Sequence, residues 1–321
     1  MAAAAGLVLL ATACGDAKES IVVTGSSTVE PISIAVSEKF VAANDDVQIV
    51  VDGPGTGDGF ELFCDGDADV NDASSKIKPE QVQACEANGV EFIELQIGYD
   101  GIAIVTNREN TTVDCLDFAD LYALTGPESQ RIGSWDDAAP LAESLGSTTT
   151  LPDAPLDIVG PGEESGTFVS YVELVIEPFS ETRGQPATTR PDYQSTSDDN
   201  VIIQGVLGSE SSLGWVGYAF ARETDEVRTI AVSREPGGPC VQPTDETIAD
   251  GTYPIARPLF IYVNKERADE NPRLRAWVDF YLSDEGLRSV AEVGYVQLSP
   301  EAAEATRQVW SSRTTGPQEI Q

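Results

Sequence analysis

Short apolar runs rich in valine and isoleucine alternate along this chain with stretches whose apolar residues recur at helical spacing. The first run, Ile21-Val22-Val23-Thr24, predicts a strand; Ile32, Ile34, Ala35, Val36, Phe40 and Val41, opened by Pro31, predict a helix ending near Asn44. Val47 to Val51 repeats the strand signal and Phe60 to Cys64 the helical one. A short strand within Asp67 to Ser75 leads to a helix from Pro79 to Asn88, closed by Gly89, and to two strands, Glu91 to Ile97 and Ile102 to Val105. From Asn107 a second unit begins, with a helix over Asp117 to Leu124, an apolar run Leu156 to Val159 and a helix through Phe168 to Leu174. A polar excursion, Ser180 to Ser197, precedes a helix capped by Asp198-Asp199-Asn200 and strands over Leu213 to Tyr218 and Val227 to Val232. Pro258 to Val263 is a strand that returns to the first unit, and helices over Pro272 to Leu282 and Glu285 to Val293 follow, with Trp277, Phe280 and Tyr281 as a core face. Strands and helices alternating in this way predict an α/β architecture with mostly parallel sheets.

Composition narrows the chemistry. With 321 residues, 41% of them hydrophobic, the chain has material for one large domain or two ordinary ones. The 54 acidic against 19 basic residues give a net charge of -35, which argues against nucleic acid or an anionic membrane as a partner bound by charge. There is no histidine, so Ser-His-Asp and Cys-His catalysis, histidine-ligated metals and histidine proton shuttles are excluded together. No cofactor or metal site is expected.

Met1 to Ala13 carries the apolar run Gly6-Leu7-Val8-Leu9-Leu10 and ends in Ala11-Thr12-Ala13 before Cys14, too short a run to span a bilayer. It resembles a bacterial lipoprotein signal, which implies a lipid anchor on Cys14 and a tether over 14–20. The other cysteines, Cys64, Cys85, Cys115 and Cys240, are even in number in a chain read as exported, so disulfides are expected. Of the three pairings, Cys64–Cys85 with Cys115–Cys240 closes one local loop and one longer tie and is the one expected.

Candidate chemistry lies in three glycine-rich turns, each between a strand and a helix: Gly25-Ser26-Ser27-Thr28, Gly53 to Gly59 around Thr56-Gly57, and Gly160 to Thr167 with Ser165-Gly166-Thr167. Glycines let a backbone approach a ligand, and the free N–H groups of a starting helix favour anions. Hydroxyls add donors, and Asp72 stands alone at a strand end. Converging at the carboxyl ends of strands, these groups would surround a small tetrahedral oxyanion. No turn ends in GKS or GKT, so none is a nucleotide phosphate loop.

The ordered set Gly25-Ser26-Ser27-Thr28-Val29-Glu30-Pro31, Gly55-Thr56-Gly57-Asp58-Gly59-Phe60, Asp69-Val70-Asn71-Asp72-Ala73-Ser74, Tyr99-Asp100-Gly101, Ser165-Gly166-Thr167, Asp198-Asp199-Asn200 and Arg257 to Val263 resembles the phosphate-binding protein of the bacterial ABC phosphate importer. The resemblance implies a two-lobed periplasmic-binding-protein fold of type II, closing on one inorganic phosphate and delivering it to a membrane permease. It implies lobes over 21–106 plus 255–321 and over 107–254, hinges near Asn107 and Gly251 to Pro258, a monomer, and an extracytoplasmic place at the cell membrane. By motif, Ser27, Thr28 and Val29 would donate from the first turn, Thr56 and Gly57 from the second, and Ser165, Gly166 and Thr167 from the third. Asp72 would accept the proton of hydrogen phosphate. The family's arginine ahead of Ser-Gly-Thr is replaced by Pro161 and another by Ser75, which leaves Arg190 as the guanidinium expected to grip the anion. A receptor for arsenate, molybdate or sulfate, a phosphatase, and a scaffold that has lost its ligand are the alternatives.

Overall fold

A computed structural model describes residues 19–163, 165–196 and 198–318, so the expected signal segment and the anchor on Cys14 lie outside the described residues. The first half opens with β1 (Glu19–Gly25), α1 (Glu30–Ala43), β2 (Val47–Asp52), α2 (Thr56–Cys64), β3 (Val70–Ala73), α3 (Pro79–Ala87) and the long β4 (Phe92–Asn107). The second half holds β5 (Cys115–Asp117), α4 (Phe118–Thr125), α5 (Ala139–Ser144), β6 (Ile158–Pro161), α6 (Gly166–Tyr171), a π-helical turn over Val172–Ile176, α7 (Glu177–Arg183), β7 (Gln194–Thr196), α8 (Asp199–Leu207), β8 (Leu213–Gly217), α9 (Tyr218–Ala221), β9 (Val227–Ser233) and α10 (Asp245–Ala249). The chain then returns through β10 (Ala256–Asn264), α11 (Lys265–Glu270), α12 (Pro272–Tyr281), α13 (Asp284–Glu292), β11 (Val296–Gln297) and α14 (Pro300–Ser312).

One curled sheet runs β2-β1-β3-β10-β4-β8-β6-β7. The outer strands of each half are parallel, β1 with β2 and β3, and β6 with β7 and β8. Antiparallel pairing enters at β4 and β10, which carry the chain between halves in opposite directions. Residues 92–101 of β4 pair with β10, and Ile102 to Val105 pair with β8. The hydrophobic core changes at the same place: Ile93, Leu95 and Ile97 pack with α1, α12 and α13, whereas Ile102 and Ile104 pack with Tyr171, Trp215 and Ile230. A third cluster, Phe60, Phe63, Phe92 and Tyr262, lies under α2 and α3.

Caps begin the helices where the sequence placed them. Asn271 Oδ1 accepts the N–H groups of Arg273 at 2.8 Å and Leu274 at 3.1 Å ahead of Pro272, and Asp198 accepts that of Asn200 at 2.9 Å. Both expected disulfides are present, Cys64–Cys85 joining α2 to α3 and Cys115–Cys240 tying β5 to the segment after β9.

Three expectations are corrected. The two strands proposed at Glu91 to Ile97 and Ile102 to Val105 are one continuous strand, β4. Gly98 and Gly101, between the two expected runs, are places of close packing within it. A Cβ on Gly98 would stand 2.7 Å from Val290, and one on Gly101 2.7 Å from Ile248. The polar excursion from Ser180 starts inside α7 and includes β7, which pairs with β6, and the Arg190 N–H fastens it to the Thr125 carbonyl. Helix α14 was not foreseen, although Ser299 capping Ala302 at 3.1 Å, with Pro300 at the first turn, is a legible start signal.

Candidate anion-binding site

Three turns meet where the halves touch. Gly25 ends β1 with φ +126°, and a Cβ there would stand 2.1 Å from the Asp72 carbonyl oxygen, so only glycine lets β1 and β3 close so tightly. The Ser26 N–H then donates to the Asp72 carbonyl at 2.8 Å, which fixes the first turn on the strand that carries the carboxylate. The Gly55 N–H donates to the Gly25 carbonyl at 2.7 Å and brings in the second turn. The third turn arrives from the other half: a Cβ on Gly166 would lie 3.5 Å from the Thr28 Cα and 2.7 Å from the Tyr295 hydroxyl. Thr28 Oγ1 and Ser170 Oγ are 3.3 Å apart across that junction.

Within this frame the expected donors differ in readiness. Ser26 Oγ accepts the N–H of Thr28 at 3.2 Å and that of Val29 at 3.4 Å, and the Val29 N–H also reaches the Ser26 carbonyl at 3.1 Å. Val29 is therefore engaged by its own turn, and Ser26, which the sequence reading left out of the ligand set, is the group that shapes it. Ser165 Oγ caps α6 by accepting the Thr167 N–H at 3.2 Å. Thr56 Oγ1 and Ser74 Oγ are 3.2 Å apart, and the Ser74 N–H donates to the same threonine oxygen. Ser27 lies under Gly53 and beside Gly166; Gly57 faces open space in the first turn of α2.

Asp72 is 1% exposed. Ser33 donates to its Oδ1 at 2.9 Å and is itself 3.2 Å from the Tyr281 hydroxyl. Oδ2 is buried with no protein partner. Burial pushes the carboxyl well above its ordinary range, the Ser33 hydrogen bond pulls it partly back, and the charge of Glu30 raises it again. Tyr295, whose hydroxyl meets Gly166 on the same side as Thr28, is pushed up chiefly by burial and keeps its proton.

The hydrogen bonds of Arg190 go to groups outside the three turns, and its Nη1 is buried without a partner. Its Nε and Nη2 donate to Asp192 at 2.7 and 2.9 Å, Nη2 also to the Ile132 carbonyl at 3.0 Å, and its N–H to the Thr125 carbonyl. Nε and Nη2 thus brace the loop through the neighbouring carboxylate. Arg257, quoted only as part of a motif, stands at the junction instead: Nη2 donates to Ser170 Oγ at 2.7 Å and to Thr28 Oγ1 at 3.1 Å.

A curled α/β sheet crossed by two strands, with glycine turns and helix starts of both halves meeting at one junction and a buried carboxylate on the strand beside the first turn, is the architecture of a two-lobed solute receptor. The PBP superfamily domain matches residues 11–285. Protein SphX of Synechocystis is 35% identical over 301 residues, 92% of this chain and 84% of that protein, and the phosphate-binding protein PstS of Staphylococcus aureus is 31% identical over 305, 91% and 85%. The crystal structure of a possible phosphate binding protein from Planctomyces limnophilus superposes with a TM-score of 0.81 at 33% identity, covering 92% of this chain and 99% of that one. The chain belongs to the family of PstS-type phosphate-binding proteins within the PBP superfamily.

Proposed function

We propose that this protein captures inorganic phosphate outside the cytoplasm, between lobes formed by 21–106 plus 255–321 and by 107–254, and delivers it to an ABC permease without chemistry of its own. The observation that carries this reading is Asp72 Oδ2, buried and unpartnered beside the first turn of α1. A lone acceptor in a nest of N–H and hydroxyl donors suits an oxyanion that still holds a proton. Hydrogen phosphate and arsenate hold one at neutral pH; sulfate does not and would meet a bare acceptor. Closure about the crossing segments at β4 and β10 buries the anion and is favoured because only the closed form engages donors from both halves. The chain acts as a monomer, anchored by a lipid on Cys14. Among the described residues no helix is long and apolar enough to cross a membrane.

Calorimetric titration of Asp72→Asn against phosphate, arsenate and sulfate tests the reading. The variant should lose about 10- to 100-fold in phosphate affinity, the worth of one charged hydrogen bond, and should no longer separate phosphate from sulfate. Full phosphate preference in the variant would overturn the role given to Asp72.

A further inference from the structure

The neutral donors described so far leave the charge of the bound anion uncompensated, in a chain whose own charge is -35. One guanidinium is placed to compensate it. Arg257 sits at the start of β10, in register opposite Asp100 of β4, where the chain passes from one half to the other. Its side chain is 12% exposed. Nη2 bonds Thr28 of the first turn and Ser170, one helical turn past Gly166, so a single nitrogen spans the junction. Any anion held by the Thr28 hydroxyl is within one donor's reach of this group.

Two carboxylates also face Arg257, and they differ in setting. Asp100 Oδ2 lies 3.5 Å from Nε, an ion-pair separation beyond hydrogen-bond contact, and both atoms are buried without a hydrogen-bond partner. Burial pushes the Asp100 carboxyl up and the neighbouring arginine pulls it back. Glu173 is the opposite case: its Oε2 takes Nη1 at 2.5 Å, yet its side chain is 45% exposed at the rim.

We propose that Arg257 is the cationic ligand of the oxyanion site, supplied by the crossing strand β10 and not by the third turn, and that Glu173 is a rim carboxylate competing with the anion for its fork. The inference rests on the phosphate reading of the site. Three of the guanidinium's five N–H donors are engaged by Thr28, Ser170 and Glu173, and the Glu173 contact is the one that solvent can replace. Asp100 is held by strand pairing and burial, so it orients the arginine and does not leave. Because the guanidinium contacts hydroxyls from both halves, it couples anion binding to closure.

The test uses the full chain, with inorganic phosphate titrated into wild type, Arg257→Gln, Arg257→Lys and Glu173→Gln, and with melting temperatures recorded with and without phosphate. Arg257→Gln should weaken phosphate binding by about 10- to 100-fold and shrink the phosphate-induced rise in melting temperature, measured from its own ligand-free value, which falls below wild type because the buried Asp100 loses its cation. Arg257→Lys, which keeps the charge and loses the fork, should fall between the two. Glu173→Gln should tighten binding by about two- to fivefold. Wild-type affinity in Arg257→Gln, or in Arg257→Lys should the glutamine variant fail to fold, overturns the assignment and leaves the phosphate reading intact. Weaker binding by Glu173→Gln overturns the competition. Absence of phosphate binding by wild type sinks the underlying reading itself.

Discussion

Asp72 shows how a single residue sets both selectivity and stability. Its carboxyl is raised chiefly by burial, so the folded state holds the proton more tightly than the unfolded chain does. For an acid raised in this way, stability is complete below the ordinary carboxylate range near about pH 4 and is lost as pH climbs through the folded value. The ligand-free protein should therefore lose stability as pH rises above that range, and Asp72→Asn should remove this part of the loss. Melting curves of the two proteins should separate at pH 8, with the variant higher, and converge near pH 4; parallel curves would contradict the buried-acid account. The residue was legible in the sequence as a lone carboxylate at a strand end. Its partners were not: Ser33 and Tyr281 lie 39 and 209 positions away along the chain, and only packing of α1 and α12 joins them.

At the level of elements, the strand–glycine–helix pattern was readable because each piece is local. β-branched runs, the turn that Ser26 shapes and Pro31 specify β1 and α1 without help from the rest of the molecule. What the same pattern could not reveal is whether a glycine turns the chain or admits a neighbour. Gly98 and Gly101 admit Val290 and Ile248 within a straight strand, whereas Gly25 combines both roles. Gly25→Ala forces a Cβ against the Asp72 backbone at a φ that L-residues avoid, and should cost more than about 2 kcal/mol in chemical denaturation. Gly57→Ala, with nothing within 4 Å of the added carbon, should stay within about 0.5 kcal/mol of wild type or gain slightly. The two arginines follow the same logic. Arg190 and Arg257 look equivalent as sequence, but Asp192, two residues on, claims the first, and the register of β10 against β4 delivers the second to the junction.

Over the whole molecule, the acidic surface and the anion site pull in opposite directions. A field of -35 repels an approaching dianion at long range, while capture depends on dipoles, hydroxyls and the Arg257 guanidinium acting within a few ångströms. Added salt screens the first and barely touches the second. The association rate for phosphate, followed by tryptophan fluorescence in rapid mixing, should rise with ionic strength over the range where surface charge is screened. Trp215 stacks on Tyr171 at 4.8 Å beside Ser170 and is placed to report the event. A rate that falls with salt would mean that a local positive field steers the ligand. The α/β class and the family motifs were open to sequence reading because they lie in order along the chain. The meeting of Thr28, Gly166 and Arg257 was not, since it depends on how two strands cross between the halves.

The measurement that bears most directly on the account is a calorimetric titration of the wild-type chain with phosphate and, separately, with sulfate at neutral pH and physiological ionic strength. The account predicts one phosphate bound per chain and no saturable heat with sulfate. Equal affinity for the two anions, or no phosphate binding at all, would contradict it.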